Sequence, residues 1–260
     1  MSINLSNIVI LMTGTIKPNS FATLALKDPE VRKSQYVDAI RFYLTNTTLN
    51  IIFVENSGVE LYKEFENNKD RKRLELITYK SKPTVPDKGK GAKELEIIDY
   101  AVNHSKFISE SFAVIKVTGR LKVLNIIELT TKYLSQAERF KKVFSCNIYK
   151  LKKMDARCFF FTKDFFPFLR EVGQTIDLQY SIEMALWDSA LKYLNSDGNF
   201  RQLKHPLRIK GVNAGFGTSY EDSFISATAK RIRHCIRAPY YYQKMIKKAK
   251  SYGKIKNRNH

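Results

Sequence analysis

The chain has 260 residues, 43% apolar and 12% aromatic, with 45 Lys and Arg against 25 Asp and Glu and a formal net charge of +20. That length suits one large domain or one domain with a short appendage, and the apolar content suits a real core, which excludes a disordered chain. No apolar run approaches the roughly 18 residues of a membrane-spanning helix, and the first apolar run lacks the basic lead and small-residue cleavage site of a signal peptide.

Ile8-Val9-Ile10-Leu11-Met12 is an unbroken apolar run that predicts a buried strand over 7–13, ending in Thr13-Gly14-Thr15. Asp28-Pro29 predicts a helix start, with Asp as N-cap and Pro at the first helical position. Val31, Tyr36, Ile40, Phe42 and Tyr43 then follow at an imperfect three-to-four spacing. A second strand, 50–55, ends in Glu55-Asn56-Ser57-Gly58, and 60–67 reads as a short helix. Leu74 to Tyr79 alternates as a third strand. The lysine-, proline- and glycine-rich stretch 80–93 reads as a loop leading into a helix over 92–105, with Leu95, Ile98, Ala101 and Val102 on one face. Strand four, 112–117, ends in Thr118-Gly119-Arg120.

Beyond it, 124–134 is expected to be helical, 144–151 and 158–161 to be strands, and 165–172 and 182–194 to be helices. A short strand over 206–212 runs into a turn-rich loop at 211–217. A basic helix begins near residue 223, and Pro239 is expected to interrupt it. Asp222 is the last acidic residue, so 223–260 carries eleven Lys and Arg and no carboxylate, whereas 1–222 carries 34 basic against 25 acidic side chains. Such a tail seeks a polyanion, either an anionic membrane or nucleic acid. Cys146, Cys158 and Cys235 are odd in number and form no CxxC pair, which points to free thiols in a reducing cytoplasm.

Alternating strands and helices through residue 125 predict an α/β fold with a mostly parallel, Rossmann-like sheet covered on both faces. The pattern gives one domain over 1–222 and a basic helical tail over 223–260. In open α/β sheets ligands bind outside the carboxyl ends of the strands, so the short polar motifs there are the candidates.

Thr13 and Gly14 offer a hydroxyl, a backbone N–H and little bulk, which suits close approach of a nucleotide or simply a turn. Glu55 and Asn56 can pair with a base edge or ribose hydroxyls, or can form an Asx-type turn. Lys88-Gly89-Lys90-Gly91 before a helix can cradle a diphosphate, or can be a solvated loop; it has neither Walker A nor GxGxxG spacing. Arg120, beside Thr118 and Gly119, can bind phosphate bidentately, or can be a surface Arg in a tight turn. Asp155 can ligate a metal or hold a sugar hydroxyl, or can pair with Arg157. Glu183 and Asp188 lie on the 182–194 helix, where a carboxylate can serve as general base or belong to a solvated face. The four histidines do not cluster, no HExxH is present, and no GxSxG elbow is visible.

The order of strand-TGTI, a helix with Arg32 and Gln35-Tyr36, strand-VENSG, the Lys/Gly-rich loop, strand-VTGRL, MDARCFFF and PLRIKG resembles bacterial glycosyltransferases of GT-A-like fold from capsule, O-antigen and lipopolysaccharide assembly. The resemblance spans residues 8–217. It implies a hexosyl- or related sugar transferase with a nucleotide-sugar donor bound by Thr13, Gly14, Glu55, Asn56, Lys88, Gly89, Gly91, Thr118, Gly119, Arg120 and Arg157. Where such enzymes close the fourth strand with a metal-binding Asp-x-Asp, this chain has Thr118-Gly119-Arg120, so Arg120 stands in for a divalent Mg or Mn ion and Asp155 is the fallback metal ligand. Glu183 falls where an acceptor-activating carboxylate is expected, with Asp155 as the second catalytic candidate. The resemblance also implies a glycan or glycolipid acceptor at the cytoplasmic face of the inner membrane. Tyr240-Tyr241-Tyr242, Met245 and Ile246 among lysines suit docking on anionic lipid. The competing classes are a nucleic-acid binder, for which no recognition motif is visible, and another nucleotide- or S-adenosylmethionine-dependent α/β transferase, whose glycine-rich first loop is missing.

Overall fold

The computed structural model describes residues 5–18, 26–82, 87–212, 219–220 and 224–256. In chain order the first half comprises β1 (Ile8–Gly14), α1 (Pro29–Asn46), β2 (Asn50–Glu55), α2 (Tyr62–Phe65), β3 (Leu74–Thr78), α3 (Gly89–His104), α4 (Lys106–Glu110), β4 (Ala113–Thr118), β5 (Lys122–Val123) and α5 (Ile126–Phe140). The second half comprises β6 (Val143–Cys146), β7 (Ile148–Lys150), β8 (Lys153–Met154), β9 (Cys158–Thr162), α6 (Phe166–Gly173), α7 (Ile182–Leu194), β10 (Asn199–Gln202), β11 (Ile209–Val212), β12 (Ser219–Tyr220) and α8 (Phe224–Lys256).

Among the described residues a seven-stranded sheet runs β10-β6-β9-β4-β1-β2-β3. β9 is antiparallel to β4 and β6, and the other pairings are parallel. The fold is thus mixed α/β with a mostly parallel sheet. The apolar run of β1 serves two cores, because successive side chains point to opposite faces. Ile8, Ile10 and Met12 pack with α1 and α5. Val9 and Leu11 pack with α3, α6 and α7. Each fully buried aliphatic side chain contributes about 1.5–3 kcal/mol over an exposed one. The sheet is therefore fixed on both sides, and its strand ends form a rigid rim.

The N-terminus of α1 is made as its sequence predicts. The Asp28 carboxylate accepts from Glu30 N at 2.8 Å and Val31 N at 3.3 Å, with Pro29 at the first turn. Three expectations need correction. Gly89, Lys90 and Gly91 are not a loop before a helix but the first residues of α3. α8 continues through Pro239, which is exposed, so the ring and its lost N–H face solvent and do not end the helix. The interval from 195 to 205, left without an element in the sequence, holds the edge strand β10. Part of the turn-rich 211–217 lies outside the described residues. The basic tail is also integral to the body: Met245 and Ala249 are buried in the core on the α7 side, and the Tyr242 hydroxyl accepts from Arg201 Nη1 at 3.3 Å.

Candidate functional site

The carboxyl ends of β4, β1 and β2 lie side by side, with Thr118 opposite Thr13 and Gly14 opposite Glu55. This juxtaposition carries three of the sequence motifs to one rim, but the residues there divide into those that build it and a cationic cluster.

Several builders were expected to be ligands. A Cβ on Gly14 would lie 2.4 Å from the Phe53 ring, and one on Gly119 would lie 2.5 Å from Thr13 O. Neither glycine has the positive φ of a left-handed turn; each is small so that Phe53, Tyr36 and the β1 backbone can close up. Glu55 is wholly buried. Its carboxylate accepts from Ile16 N (2.8 Å), Ser57 N (2.9 Å), Val59 N (2.8 Å) and the Ser57 hydroxyl. With that many donors it locks the loops after β1 and β2 and has little capacity left for a ribose. Asn56 Oδ1 accepts from the Thr15 hydroxyl at 2.6 Å, in the same lock.

The remaining groups are cationic, with Arg120 and Arg32 nearly buried and Lys90 exposed. Arg120 follows β4 and is nearly buried, with Nη1 donating to Gln35 Oε1 at 3.1 Å and its Nε without a hydrogen-bond partner. Its guanidinium lies 5.9 Å from the centre of the Tyr36 ring, over which Arg32 also sits at 6.0 Å. Arg32 donates through Nε to Thr15 O at 2.8 Å, so it holds the β1 loop as well. Lys90, in the first turn of α3, completes the cluster. Its ammonium is held below the usual lysine range by burial and by the positive charges of Arg120 and Arg32. A buried donor without a partner costs about 1–3 kcal/mol, and here it belongs to one of three neighbouring like charges, a combination suited to an anion.

The loop bearing Arg120 is fixed from both sides. The Tyr43 hydroxyl donates to Leu121 O and accepts from Val123 N, each at 2.8 Å. β11 pairs with β5, and a Cβ on Gly211 would sit 2.8 Å from Arg120 O.

The sequence reading missed Lys116 and Glu94. Lys116 is in the middle of β4, 0% exposed, and its Nζ pairs with Glu94 of α3 and donates to Ala156 O at 2.6 Å. Glu94 Oε1 also accepts from the Thr13 and Thr118 hydroxyls, both at 3.3 Å. A lone lysine inside the apolar strand Ala113–Thr118 was the available signal, since a buried charge needs a partner. Glu94 lies one helical turn beyond Lys90, on the same face of α3, so this anchor directs Lys90 toward the strand ends.

Asp155 and Arg157 reach the same rim, because Thr118 N donates to Arg157 O at 2.9 Å. Asp155 is nearly buried, and its carboxylate is taken by Arg157: Nε donates to Oδ1 at 2.8 Å and Nη2 to Oδ2 at 2.7 Å. A carboxylate so engaged is a poor metal ligand. Among the described residues no group of three His, Cys, Asp or Glu side chains stands ready to hold a metal ion. The donor set of this rim fits an anion rather than a divalent cation.

Glu183 is half-buried in the first turn of α7. That turn meets α3 at Gly91, whose Cβ would lie 3.1 Å from Ile182 N, so Gly91 is a packing glycine. Burial, then the negative charges of Glu183 and Asp155, raise the Tyr149 phenol above its usual range, which puts these three groups in one electrostatic neighbourhood. Asp188 faces elsewhere and accepts from the Tyr180 hydroxyl at 2.7 Å. Lys88 is exposed at the N-cap of α3 and helps to hold the Asp177 carboxyl, chiefly bonded by the Tyr180 and Gln179 amides, below its usual range.

No protein-family model matches the chain, and no curated protein does. Among solved structures, the chain is similar to one described as a nucleotide-diphospho-sugar transferase from Desulfovibrio desulfuricans G20, at TM-score 0.46 and 12% identity over 76% of this chain and 80% of that one. It is similar to a cytidylyltransferase from Leptospira borgpetersenii serovar Hardjo-bovis (0.40, 8%, 67% and 69%). It is also similar to a glycosyltransferase involved in the glycosylation of the major capsid of PBCV-1 (0.42, 9%, 76% and 83%). At these values the functional reading rests on the chain's own residues.

Proposed function

We propose that the protein is a GT-A-like glycosyltransferase that moves a sugar from a nucleotide-sugar donor to a hydroxyl of a growing, lipid-linked bacterial surface glycan. The observation that carries this reading is the cationic cluster of Arg120, Arg32 and Lys90 at the ends of β1 and β4, with the Arg120 Nε unpartnered. A nucleotide diphosphate placed there meets the Arg120 guanidinium and the Lys90 ammonium, while Arg32, whose guanidinium donates to Thr15 O, Leu26 O and the Tyr36 hydroxyl, adds its charge from behind. Because the carboxylates at the rim are engaged by other protein groups, these side chains neutralise the leaving diphosphate without a metal.

Glu183 is the general base of the scheme. It takes the proton of the acceptor hydroxyl as that oxygen bonds to the anomeric carbon, while the bond from the anomeric carbon to the diphosphate breaks and the nucleoside diphosphate leaves. Asp155 orients Arg157 and is a positioning residue.

The tail supports a peripheral place on the cytoplasmic face of the membrane. Ile232, Ile236 and Tyr240 recur at intervals of four on α8 and are 59%, 70% and 54% exposed. They form an apolar stripe amid lysines and arginines, the make-up of an interfacial helix on anionic lipid.

A panel of UDP-, GDP- and CMP-sugars, with and without EDTA, tests the central reading by thermal shift. At least one donor is expected to raise the melting temperature equally under both conditions. Silence across the panel would sink the glycosyltransferase reading, and a shift abolished by EDTA would sink the metal-free part of it.

A further inference from the structure

A second basic site lies beside the rim. α8 packs on β7 and, with the segment between β8 and β9 that carries Asp155 and Arg157, encloses a cavity of about 180 Å³. Its cationic wall is Arg157 from the body with Lys230, Arg233 and Arg237 from α8. Tyr149, Tyr220 and Tyr241 supply aromatic walls. Among the described residues the carboxylate lining it is Asp155, already paired with Arg157. Arg233 and Arg237 enter no ion pair among those residues. His234 is committed elsewhere, its Nε2 lying 2.9 Å from Leu203 O.

Small-molecule sites usually span about 300–1,000 Å³. This cavity is smaller, so it suits a charged group of a ligand rather than a whole nucleotide. Two arginines give planar, multiple donors matched to phosphoryl oxygens, and tyrosine hydroxyls add further donors.

Helical geometry separates this site from the apolar stripe. At about 100° per residue, positions 230, 233, 237 and 241 centre on one side of α8, and the mean direction of 232, 236 and 240 is turned from theirs by roughly 105°. One helix therefore turns an apolar edge outward and a phosphoryl-binding edge inward, next to Asp155, Tyr149 and Glu183.

We propose that this cavity binds the phosphate or diphosphate group of the acceptor, so that the acceptor is a phosphorylated amphiphile whose sugar end reaches Glu183. The assignment of the acceptor role rests on the glycosyltransferase reading; the binding of a phosphoryl group does not.

The test uses the full chain and titrates geranyl diphosphate and inorganic pyrophosphate by calorimetry. The variants are the double substitution R233Q/R237Q and, separately, Arg120→Gln. Arg233 and Arg237 are exposed side chains, and unchanged melting curves check their folding. Losing two charged hydrogen-bonding groups should weaken geranyl diphosphate binding by about tenfold or more, while any nucleotide-sugar binding stays within about twofold of wild type. Arg120→Gln should do the reverse. If R233Q/R237Q binds geranyl diphosphate as wild type does, the proposal falls. Equal affinity for pyrophosphate and geranyl diphosphate at this site would mark a free-phosphate site and overturn the acceptor assignment. If no nucleotide sugar binds yet geranyl diphosphate binding still depends on Arg233 and Arg237, the glycosyltransferase reading fails and the phosphoryl site stands.

Discussion

Lys116 and Glu94 form an ion pair that is closed at one end and open at the other. The lysine side chain is wholly buried in β4, whereas the glutamate side chain on α3 retains 22% of its exposure. The two halves therefore differ in what their loss leaves behind. Glu94→Gln strands a buried ammonium, and breaking such a pair costs about 3–5 kcal/mol. Lys116→Met leaves a carboxylate that still reaches water and still accepts from Thr13 and Thr118. Urea unfolding is expected to rank Glu94→Gln as clearly the more destabilising; equal losses, or the opposite order, would refute this account.

The close approach of β4 to β1 depends on Gly119. Its N–H donates to Thr13 O at 2.9 Å, and an added Cβ would meet that same oxygen. Backbone cannot swing aside as a side chain can, so Gly119→Ala should cost about 1–3 kcal/mol. It should also displace Arg120 and lower donor affinity. Unfolding curves together with nucleotide titration separate the two effects.

If the proposed donor sits against Lys90, its binding has a pH dependence with a defined sign. The free-state pKa of Lys90 is lowered by burial and by Arg120 and Arg32, and a bound diphosphate favours the charged form. Below that lowered pKa the lysine is charged before and after binding. Above it, binding must take up a proton. Affinity is therefore expected to fall as pH rises through a range below that of an ordinary lysine, and Lys90→Met should flatten the fall. A titration of nucleotide affinity between about pH 7 and 10 measures it.

Glu183→Gln should lower kcat by about 10²–10⁴ with donor affinity unchanged if, as proposed, the residue serves the acceptor hydroxyl and not the diphosphate. Asp188→Asn, which alters a group bonded to Tyr180 on another side of α7, should leave kcat near wild type. A loss of donor affinity in Glu183→Gln would remove it from the role of base.

Replacing Ile232, Ile236 and Tyr240 together with serine should abolish sedimentation with phosphatidylglycerol vesicles and leave the melting temperature nearly unchanged, since these side chains are exposed. Truncation would be a poor substitute, because Met245 and Ala249 belong to the core. Retained binding by the triple variant would count against the stripe.

The sequence made the central strands legible because strands covered on both faces are continuously apolar, as 8–12 and 51–54 are. Asp28-Pro29 was equally legible, since capping is local chemistry. In the small sheet of β12, β11 and β5, β11 was legible as the short strand expected over 206–212, whereas β5 and β12 were not, because two-residue strands carry no periodicity. That three motifs share one rim was legible, but not what each residue there bonds to. Glu55, Gly14 and Gly91 stand at the rim, yet their partners come from residues 39, 39 and 91 positions away respectively, namely Ile16, Phe53 and Ile182. No local pattern distinguishes a carboxylate that locks a loop from one that meets a ligand. Lys90, Arg32 and Arg120 become a cluster only when α1, α3 and the β4 loop are brought together.

The short strand β11 touches both of the proposed anion-binding places. Through Gly211 it abuts the backbone of Arg120, and through Ile209 it lines the cavity under α8. It forms a splint between the two. A few residues of extended chain thus join the wall of that cavity to the backbone beneath the Arg120 guanidinium, so a bulky substitution at Gly211 would disturb both places at once.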